Sequence, residues 1–414
     1  MIFFAIFFTL FLLVDKYVYQ AIQTVTAELS PVLRHVIRYL YWTFTFLLIA
    51  ALVVAILTRG PAPNNMVMAL FSIFFILFVS KVVAALFLLL DDTRRLGKLV
   101  THKLFRRPAA RAYSKEVNLS RSKFLSQLAL LAGAIPFATM VWGMAQGAYS
   151  YRVKRVPLRL PNLPAAFDGY RLLHISDLHT GSFRSTSPLY RAVDLINQQQ
   201  ADLVVFTGDL VNYVAGEVLD HMPALRQIQA RAGVYSVLGN HDYGDYVEWG
   251  KDLDKTENFQ RLLQAHRELG WNLLRNENQV IEKDGDRIAV IGVENWSQLD
   301  RFPRYGDIQK AHAGTEEVPF KVLLSHDPSH WAGQITGQFP DIDLTLSGHT
   351  HGMQFGVNLP DLKWSPIQYL YEHWAGLYQK GQQYLYVNTG LGFLGYPGRV
   401  GFLPEITVFE LRKA

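Results

Sequence analysis

The chain has 414 residues, half of them hydrophobic, a net charge of +5 and no cysteine. Without thiols there are no disulfides and no thiolate metal sites, so any metal must be held by nitrogen and oxygen. The pI of about 9.1 owes much to one basic segment described below, so it is not a nucleic-acid signal.

The first 150 residues read as an α-helical transmembrane bundle with a basic loop. Residues 1–22 are apolar as far as Val14. They cross a ~30 Å hydrocarbon core only if the helix runs on through Asp15 and Lys16 to about Ile22. A cleaved signal peptide fits them less well, because a basic start and a small-x-small cleavage site are missing. Residues 39–57 form a second span, opening with the interfacial cluster Tyr39, Tyr41 and Trp42. Residues 66–90 are interrupted only by Ser72, Ser80 and Lys81, and residues 124–145 give the fourth span. Pro136 is tolerable there because helical neighbours can resatisfy the backbone. Asp15 and Lys16 are expected to snorkel to an interface, while Lys81 lies deeper and is expected to pair within the bundle.

Residues 91–123 hold ten basic side chains, among them Arg94, Arg95, Arg106, Arg107 and Arg111, against Asp91, Asp92 and Glu116. The positive-inside rule makes this loop cytoplasmic, and four spans then place both termini outside the cytoplasm. Arg152, Lys154, Arg155 and Arg159, directly behind the last span, pull mildly the other way.

Residues 151–414 change texture to alternating strands and helices, an α/β or α+β pattern without internal repeats. "YRLLHISDLH", "ADLVVFTGDLVN", "GVYSVLGNHD", "FKVLLSHDP" and "IDLTLSGHTHG" are apolar runs that end in polar clusters, each a buried strand entering a loop. Ser187 caps a helix that opens with Pro188, and a second helix is expected over residues 258–269. Asp284-Gly285 marks a hairpin turn, and "QYLYVNTG" and "EITVFELRK" read as closing strands.

The five strand ends carry Asp177 and His179, Asp209, Asn240 and His241, His326, and His349 and His351. Each alone has an ordinary explanation, but five in order at carboxyl ends of strands point to one metal site. Two divalent ions ~3.5–4 Å apart need a bridging carboxylate, and Asp209 is the natural candidate. Asp177 and His179, at i and i+2, can converge on one ion, with Asn240 and His326 on the other. His349 and His351 would then split, one to each. Gly348 and Gly352 are expected to supply the sharp turns around that pair.

"SDLH", "TGDL", "LGNHD", "LLSHD" and "SGHTHG" resemble the signature of the calcineurin-like metallophosphoesterase superfamily, and the helices ahead of them resemble its bacterial membrane-anchored branch. The resemblance covers about Tyr170 onward and implies a four-layered α/β/β/α sandwich. It implies Asp177, His179, Asp209 and His351 on one ion, and Asp209, Asn240, His326 and His349 on the other. His241 would be catalytic, stabilising charge or protonating the leaving oxygen. Asn212 stands where some branches have an aspartate that orients this histidine, so an amide contact is expected instead.

His174 is expected to pack in the sheet and His330 at the surface. Arg399 is either a solvated side chain or a clamp for substrate phosphate. Trp364, Tyr369 and Tyr371 are read as core packing or as lining a lipid-facing or substrate-facing surface. Together these features describe a multi-pass inner- or plasma-membrane phosphoric ester hydrolase, with an extracytoplasmic site using metal-bound hydroxide. Two divalent ions (Mn, Fe, Zn or Co) suit the donor set. Its partners would be the lipid bilayer and a phosphorylated small-molecule, lipid or cell-envelope substrate, not nucleic acid. One alternative is a pyrophosphatase acting on a nucleotide-linked lipid of the UDP-diacylglucosamine type at the cytoplasmic face. Another is a non-catalytic signalling or transport protein with a phosphate-binding domain.

Overall fold

The computed structural model describes residues 2–58, 65–104, 115–250 and 254–414. The chain divides into two compact units, Met1–Trp142 and Gly143–Ala414.

The helical unit contains α1 (Ile2–Val25), α2 (Pro31–Leu57), α3 (Asn65–Leu104) and most of α4 (Lys115–Ala145). Among the described residues, three stretches are long and apolar enough to cross a membrane: Pro31–Leu57, Met66–Arg94 and Ser122–Tyr149. Leu47, Leu57, Leu90 and Ile135 point outward from these helices, as side chains facing lipid do. The first helix runs unbroken through Asp15 and Lys16, the condition that spanning by residues 1–22 requires. Helix α2 begins earlier than its apolar pattern suggests, because Ser30 caps the Leu33 amide and Pro31 opens the first turn. Helix α3 continues to Leu104, so the first part of the expected basic loop is helical. Its residues are mostly good helix formers and the next proline is Pro108. Residues 105–114, with Arg106, Arg107 and Arg111, lie outside the described residues.

Asp15 does not snorkel; it is fully buried. Its carboxylate accepts from Thr45 Oγ1 at 2.9 Å and from the Tyr41 hydroxyl, and it pairs with the Lys81 ammonium. The ammonium also lies 5.2 and 5.0 Å from the ring centroids of Phe11 and Tyr41. Lys16 is exposed.

Among its described residues the second unit strings fourteen strands: β1 (Arg152–Leu160), β2 (Arg171–Ile175), β3 (Leu203–Phe206), β4 (Val234–Ser236), β5 (Asn272–Leu273), β6 (Glu277–Lys283), β7 (Asp286–Gly292), β8 (Lys321–Leu324), β9 (Leu344–Ser347), β10 (Val357–Leu359), β11 (Leu362–Trp364), β12 (Gly376–Lys380), β13 (Gln383–Val387) and β14 (Glu405–Lys413). Twelve build two mixed six-stranded sheets, in the orders β1-β14-β2-β3-β4-β5 and β12-β13-β9-β8-β7-β6. Strands β10 and β11 form a separate hairpin.

Side-chain alternation sends each strand both ways. Leu172, Leu203 and Val205 of the first sheet meet Val290, Val322 and Leu346 of the second in one core. Leu173, Val204 and Phe206 face the other way, onto α5 (Ser187–Gln198), α6 (Met222–Leu225) and α7 (Lys255–Leu269). The far face of the second sheet, with Ile291 and Leu323, packs on α8 (Ile308–His312) and on Trp331 and Ile335. The result is the four-layered α/β/β/α sandwich, burying both faces of near-continuous apolar strands.

Local signals shift by a few residues. Thr186, without a side-chain cap bond, precedes α5, so Ser187 is its first residue and not its cap. Asp254 caps α7 through the amides of Thr256 and Glu257, starting that helix before residue 258. Asp284 and Gly285 have φ of 49° and 86° and join β6 to β7 in a tight hairpin. Strand β1 is an addition: its basic residues alternate with Val153, Val156, Leu158 and Leu160 beside β14.

Candidate metal centre

The carboxyl ends of parallel strands β2, β3 and β4 in one sheet, and of β8 and β9 in the other, carry the seven side chains expected to bind metal. The backbone bends sharply there. Asp177, His179, Asp209, His349 and His351 all have φ between 46° and 71°, half of the non-glycine residues with positive φ among those described. Each such conformation costs on the order of 1–2 kcal/mol for an L-residue, and the surrounding loops hold it in place. Gly348 serves a different purpose from the turn expected of it: a Cβ there would collide with Ser176 and the Asp177 carboxylate. Gly352, at φ 54°, does make a turn.

Two clusters result, each with ligand atoms within 4.8 Å of one another: Asp177, His179 and His351, and Asp209, His326 and His349. In the first, Nε2 of His179 and Nε2 of His351 are 3.1 Å apart, and Asp177 Oδ1 is 3.2 Å from His351 Nε2. In the second, Asn240 Oδ1 lies 3.1 Å from His326 Nε2 and 2.8 Å from His349 Nδ1. Asp209 stands between them, its Oδ2 being 3.4 Å from His179 Nε2 and 3.2 Å from His326 Nε2.

Neighbours fix which nitrogen faces inward. His326 Nδ1–H donates to the Thr207 carbonyl at 2.7 Å, leaving Nε2 for the cluster. His349 Nε2–H donates to the Tyr371 oxygen at 2.8 Å, and the Tyr371 hydroxyl donates to Asp327 Oδ2 at 3.1 Å, so Nδ1 faces the cluster bare. Burial would raise the carboxyl of Asp177, but His351 holds it below the usual range; His326 and His241 do the same for Asp209. Burial keeps His179 well below its ordinary value and lowers His349 to about 4. His326 goes the other way: Asp209 overcomes burial and raises it to about 10. His179 Nδ1 is buried and without a partner. Two carboxylates, an amide oxygen and imidazole nitrogens packed this closely fit a pair of divalent cations.

His241 lies beside this set. Its ring centroid is 5.0 Å from that of His179, and its Nδ1–H donates to the main-chain carbonyl of Asn212 at 2.7 Å. Asn212 thus orients His241 through its backbone; its amide donates instead to Ser182 Oγ. Asp242 ties the β3 and β4 loops together by accepting from the amides of Gly239, Asp209, Leu210 and Val211.

Other expectations fare differently. His174 is buried in the sheet, 2.8 Å from Thr207 Oγ1. His330 is not at the surface: it is fully buried between Ser325 and Gln334, against the Trp296 ring. Arg399 is neither solvated nor open to substrate. It is wholly buried, donating to the carbonyls of Gly392 and Phe402 and to His351 Nδ1. Tyr369 is exposed, Trp364 is half-buried, and Tyr371 holds His349. Sequence reasoning missed Asp242, Asp327 and Tyr371; the two aspartates directly follow His241 and His326, and that adjacency was the available signal.

Residues 1–148 match the family model "Probable Calcineurin-like phosphoesterase, transmembrane domain", and residues 170–353 match "Calcineurin-like phosphoesterase". A "Transmembrane protein with metallophosphoesterase domain" of Danio rerio is 32% identical over 328 residues, 77% of this chain and 68% of that one. The "Uncharacterized metallophosphoesterase YkuE" of Bacillus subtilis is 31% identical over 314 residues, 71% of this chain and 98% of that one. Among solved structures, the NAD nucleotidase of Haemophilus influenzae aligns with a TM-score of 0.38 and 16% identity, over 54% of this chain and 45% of that one. The chain is a membrane protein of the calcineurin-like metallophosphoesterase family.

Proposed function

We propose that this protein is a membrane-anchored, dinuclear metal-dependent phosphoesterase that hydrolyses phosphate mono- or diesters. The observation that carries the reading is the place of Asp209 Oδ2, within 3.4 Å of a ring nitrogen from each cluster. Asp177, His179, Asp209 and His351 would hold one ion, and Asp209, Asn240, His326 and His349 the other. Bound there, two divalent cations of the Mn, Fe, Co or Zn kind would lower the pKa of a shared water and neutralise phosphoryl oxygens. The chain's own residues set up the rest. Asp242 holds the loops of Asp209 and Asn240 in register, and Tyr371 with Asp327 fixes the His349 ring. With Nδ1–H committed to the Asn212 carbonyl, His241 would pass a proton from Nε2 to the leaving oxygen as the imidazolium, a form that burial disfavours and the Asp209 carboxylate favours.

Hydrolysis of p-nitrophenyl phosphate and its bis ester by the full-length protein in detergent, with Mn added, tests this reading. Turnover that chelator abolishes is expected. No turnover with any divalent metal, in a folded sample, favours a non-catalytic binding protein.

We further propose that the α/β unit lies outside the cytoplasm, on the strength of the basic residues 91–123. The chain has no cysteine, so single ones can be added without background. Ser185 is exposed, whereas the neighbouring Ser182 is buried and would resist labelling. An impermeant maleimide on intact cells, with any outer membrane permeabilised, should label Ser185→Cys and spare Ser114→Cys. The reverse pattern would move the site to the cytoplasmic face.

A further inference from the structure

Between β7 and α8 the segment "SQLDRFPRYGD" carries two arginines with opposite fates. Arg304 is consumed in holding the loop together: it donates to the carbonyls of Ser297 and Gln298 and pairs with Asp300 at 2.9 Å. The Gln298 amide bonds Ser329 Oγ, and the Tyr305 amide bonds the Asn295 carbonyl, so the loop is pinned at both ends. Arg301 is left exposed and has no hydrogen bond or ion pair among the described residues. The acids of its own loop and of the adjoining segments are occupied: Asp300 by Arg304, Asp245 by Lys255 and Tyr305, Glu294 by Arg275 and Asn276, Asp327 by Tyr371 and Ser329.

What Arg301 does touch leads straight to the metal centre. Its guanidinium lies 4.6 Å from the Phe302 ring centroid, and the Phe302 ring meets His349 edge-to-face at 4.7 Å. Its charge is felt at two phenols that each hold a candidate ligand. Tyr246 accepts from Asn240 Nδ2 at 2.8 Å, and Tyr371 accepts from His349. Burial raises both phenols, that of Tyr246 to about 12, and Arg301 pulls each of them back. An exposed guanidinium thus lies over the Phe302 ring, which packs on His349 of the Asn240–His326–His349 cluster, and its hydrogen-bonding edge is free among the described residues.

We infer that Arg301 selects substrates by charge, receiving the second negative charge of a phosphoryl group whose first charge the metal centre takes. Dianionic phosphoryl groups are then preferred over the singly charged phosphorus of a diester. A guanidinium matches two phosphoryl oxygens at once, which an exposed lysine does only as a point charge. The inference rests on the phosphoesterase reading above and narrows it. Two sources carry this chemistry, a terminal monoester and a diphosphate, in which the second charge sits on the adjoining phosphorus.

The test compares wild type, Arg301→Ala and Arg301→Lys in the full-length, Mn-loaded protein, with metal content and melting temperature as controls. For p-nitrophenyl phosphate, Arg301→Ala should lower kcat/KM about 10- to 100-fold, chiefly through KM. For bis(p-nitrophenyl) phosphate the change should stay within about threefold. Arg301→Lys should recover part of the monoester loss. UDP-glucose separates the two sources: a parallel loss on it identifies a diphosphate site, and an unchanged rate a terminal monoester site. Equal losses on monoester and diester, or no loss on either, would overturn the inference. Binding of inorganic phosphate by calorimetry reads the same contact without turnover, and Arg301→Ala should weaken it about tenfold or more. If the wild type turns over neither ester, the phosphoesterase reading fails while this binding difference still supports Arg301. Unchanged phosphate affinity in Arg301→Ala sinks it.

Discussion

Asp15 in the helical unit and Asp209 in the α/β unit are carboxylates with almost no exposed surface, and their surroundings differ in kind. Asp15 is met by an ammonium, a phenol and a hydroxyl, all donors from its own unit. Asp209 is met by one main-chain amide and by ring nitrogens that crowd one another at 3.1 to 3.2 Å. The first cluster is closed by the chain that makes it. The second gathers more lone pairs than the chain can answer, and that surplus distinguishes a place built for a cation from a place built for a fold.

The contrast can be broken in order of expected effect. Asp209→Asn should cost at least 10²–10⁴-fold in ester hydrolysis, because it removes the charge shared by both clusters. Elemental analysis should find fewer than two ions per chain; two ions with a near-normal rate would refute the bridging position. His241→Gln should slow turnover less than Asp209→Asn does, within the 10²–10⁴-fold typical of a lost acid. It should leave both ions in place, and metal loss in this variant would move His241 into the ligand set.

Breaking the closed cluster should unfold rather than inactivate. Lys81→Met leaves the Asp15 carboxylate buried without its cation, a change that costs about 3–5 kcal/mol in buried pairs. Adding Asp15→Asn should return most of that loss, with metal content unchanged throughout. Equal instability in the single and double variants, read by thermal unfolding in detergent, would show that the pair is not the stabilising unit.

The smallest effect concerns two histidines outside the metal centre. Burial holds His266 at about 3 and His330 at about 4 in the folded protein. The unfolded value is about 6.5. As pH falls below about 6.5, the unfolded chain therefore binds protons that the folded chain refuses. Their contribution is fully present above that pH and is lost toward the folded values, at about 1.4 kcal/mol per pH unit for each group. Denaturant midpoints from pH 7 to 5 should fall less steeply in His330→Gln than in wild type. Parallel curves would mean that His330 titrates normally when folded.

How far the sequence reached depended on whether a feature is local. Asp177, His179, Asp209, Asn240, His326, His349 and His351 each close an apolar run, so their gathering at strand ends could be read without coordinates. The Asp284-Gly285 hairpin and the start of α5 are equally local. Apart from helix starts displaced by caps at Ser30 and Asp254, the misses concern which surfaces meet. In the sequence Lys154 counts only as charge behind a span, whereas it sits on β1 and pairs with Glu405, 251 residues away. Asp15 looked like a helix-end carboxylate until α2 and α3 were packed beside it. Nothing near "GYPGRVG" shows that Arg399 is enclosed behind His351, and nothing near Asn212 shows that its carbonyl, not its amide, meets His241.

The pairing of β1 with β14 sets a schedule for the nascent chain. In the first sheet β14 lies between β1 and β2, although it is translated after both. Lys154 and Glu405 are 251 residues apart. At about 5–20 residues per second, β1 waits on the order of 10–50 s for its neighbour, long after the apolar helices ahead of it have left the ribosome. Throughout that interval β1 and β2 have unpaired edges on a polypeptide already held at a bilayer, the circumstance in which strands find the wrong partner. Crowding of half-made copies at one patch of membrane is therefore where biogenesis of this protein is most easily spoiled.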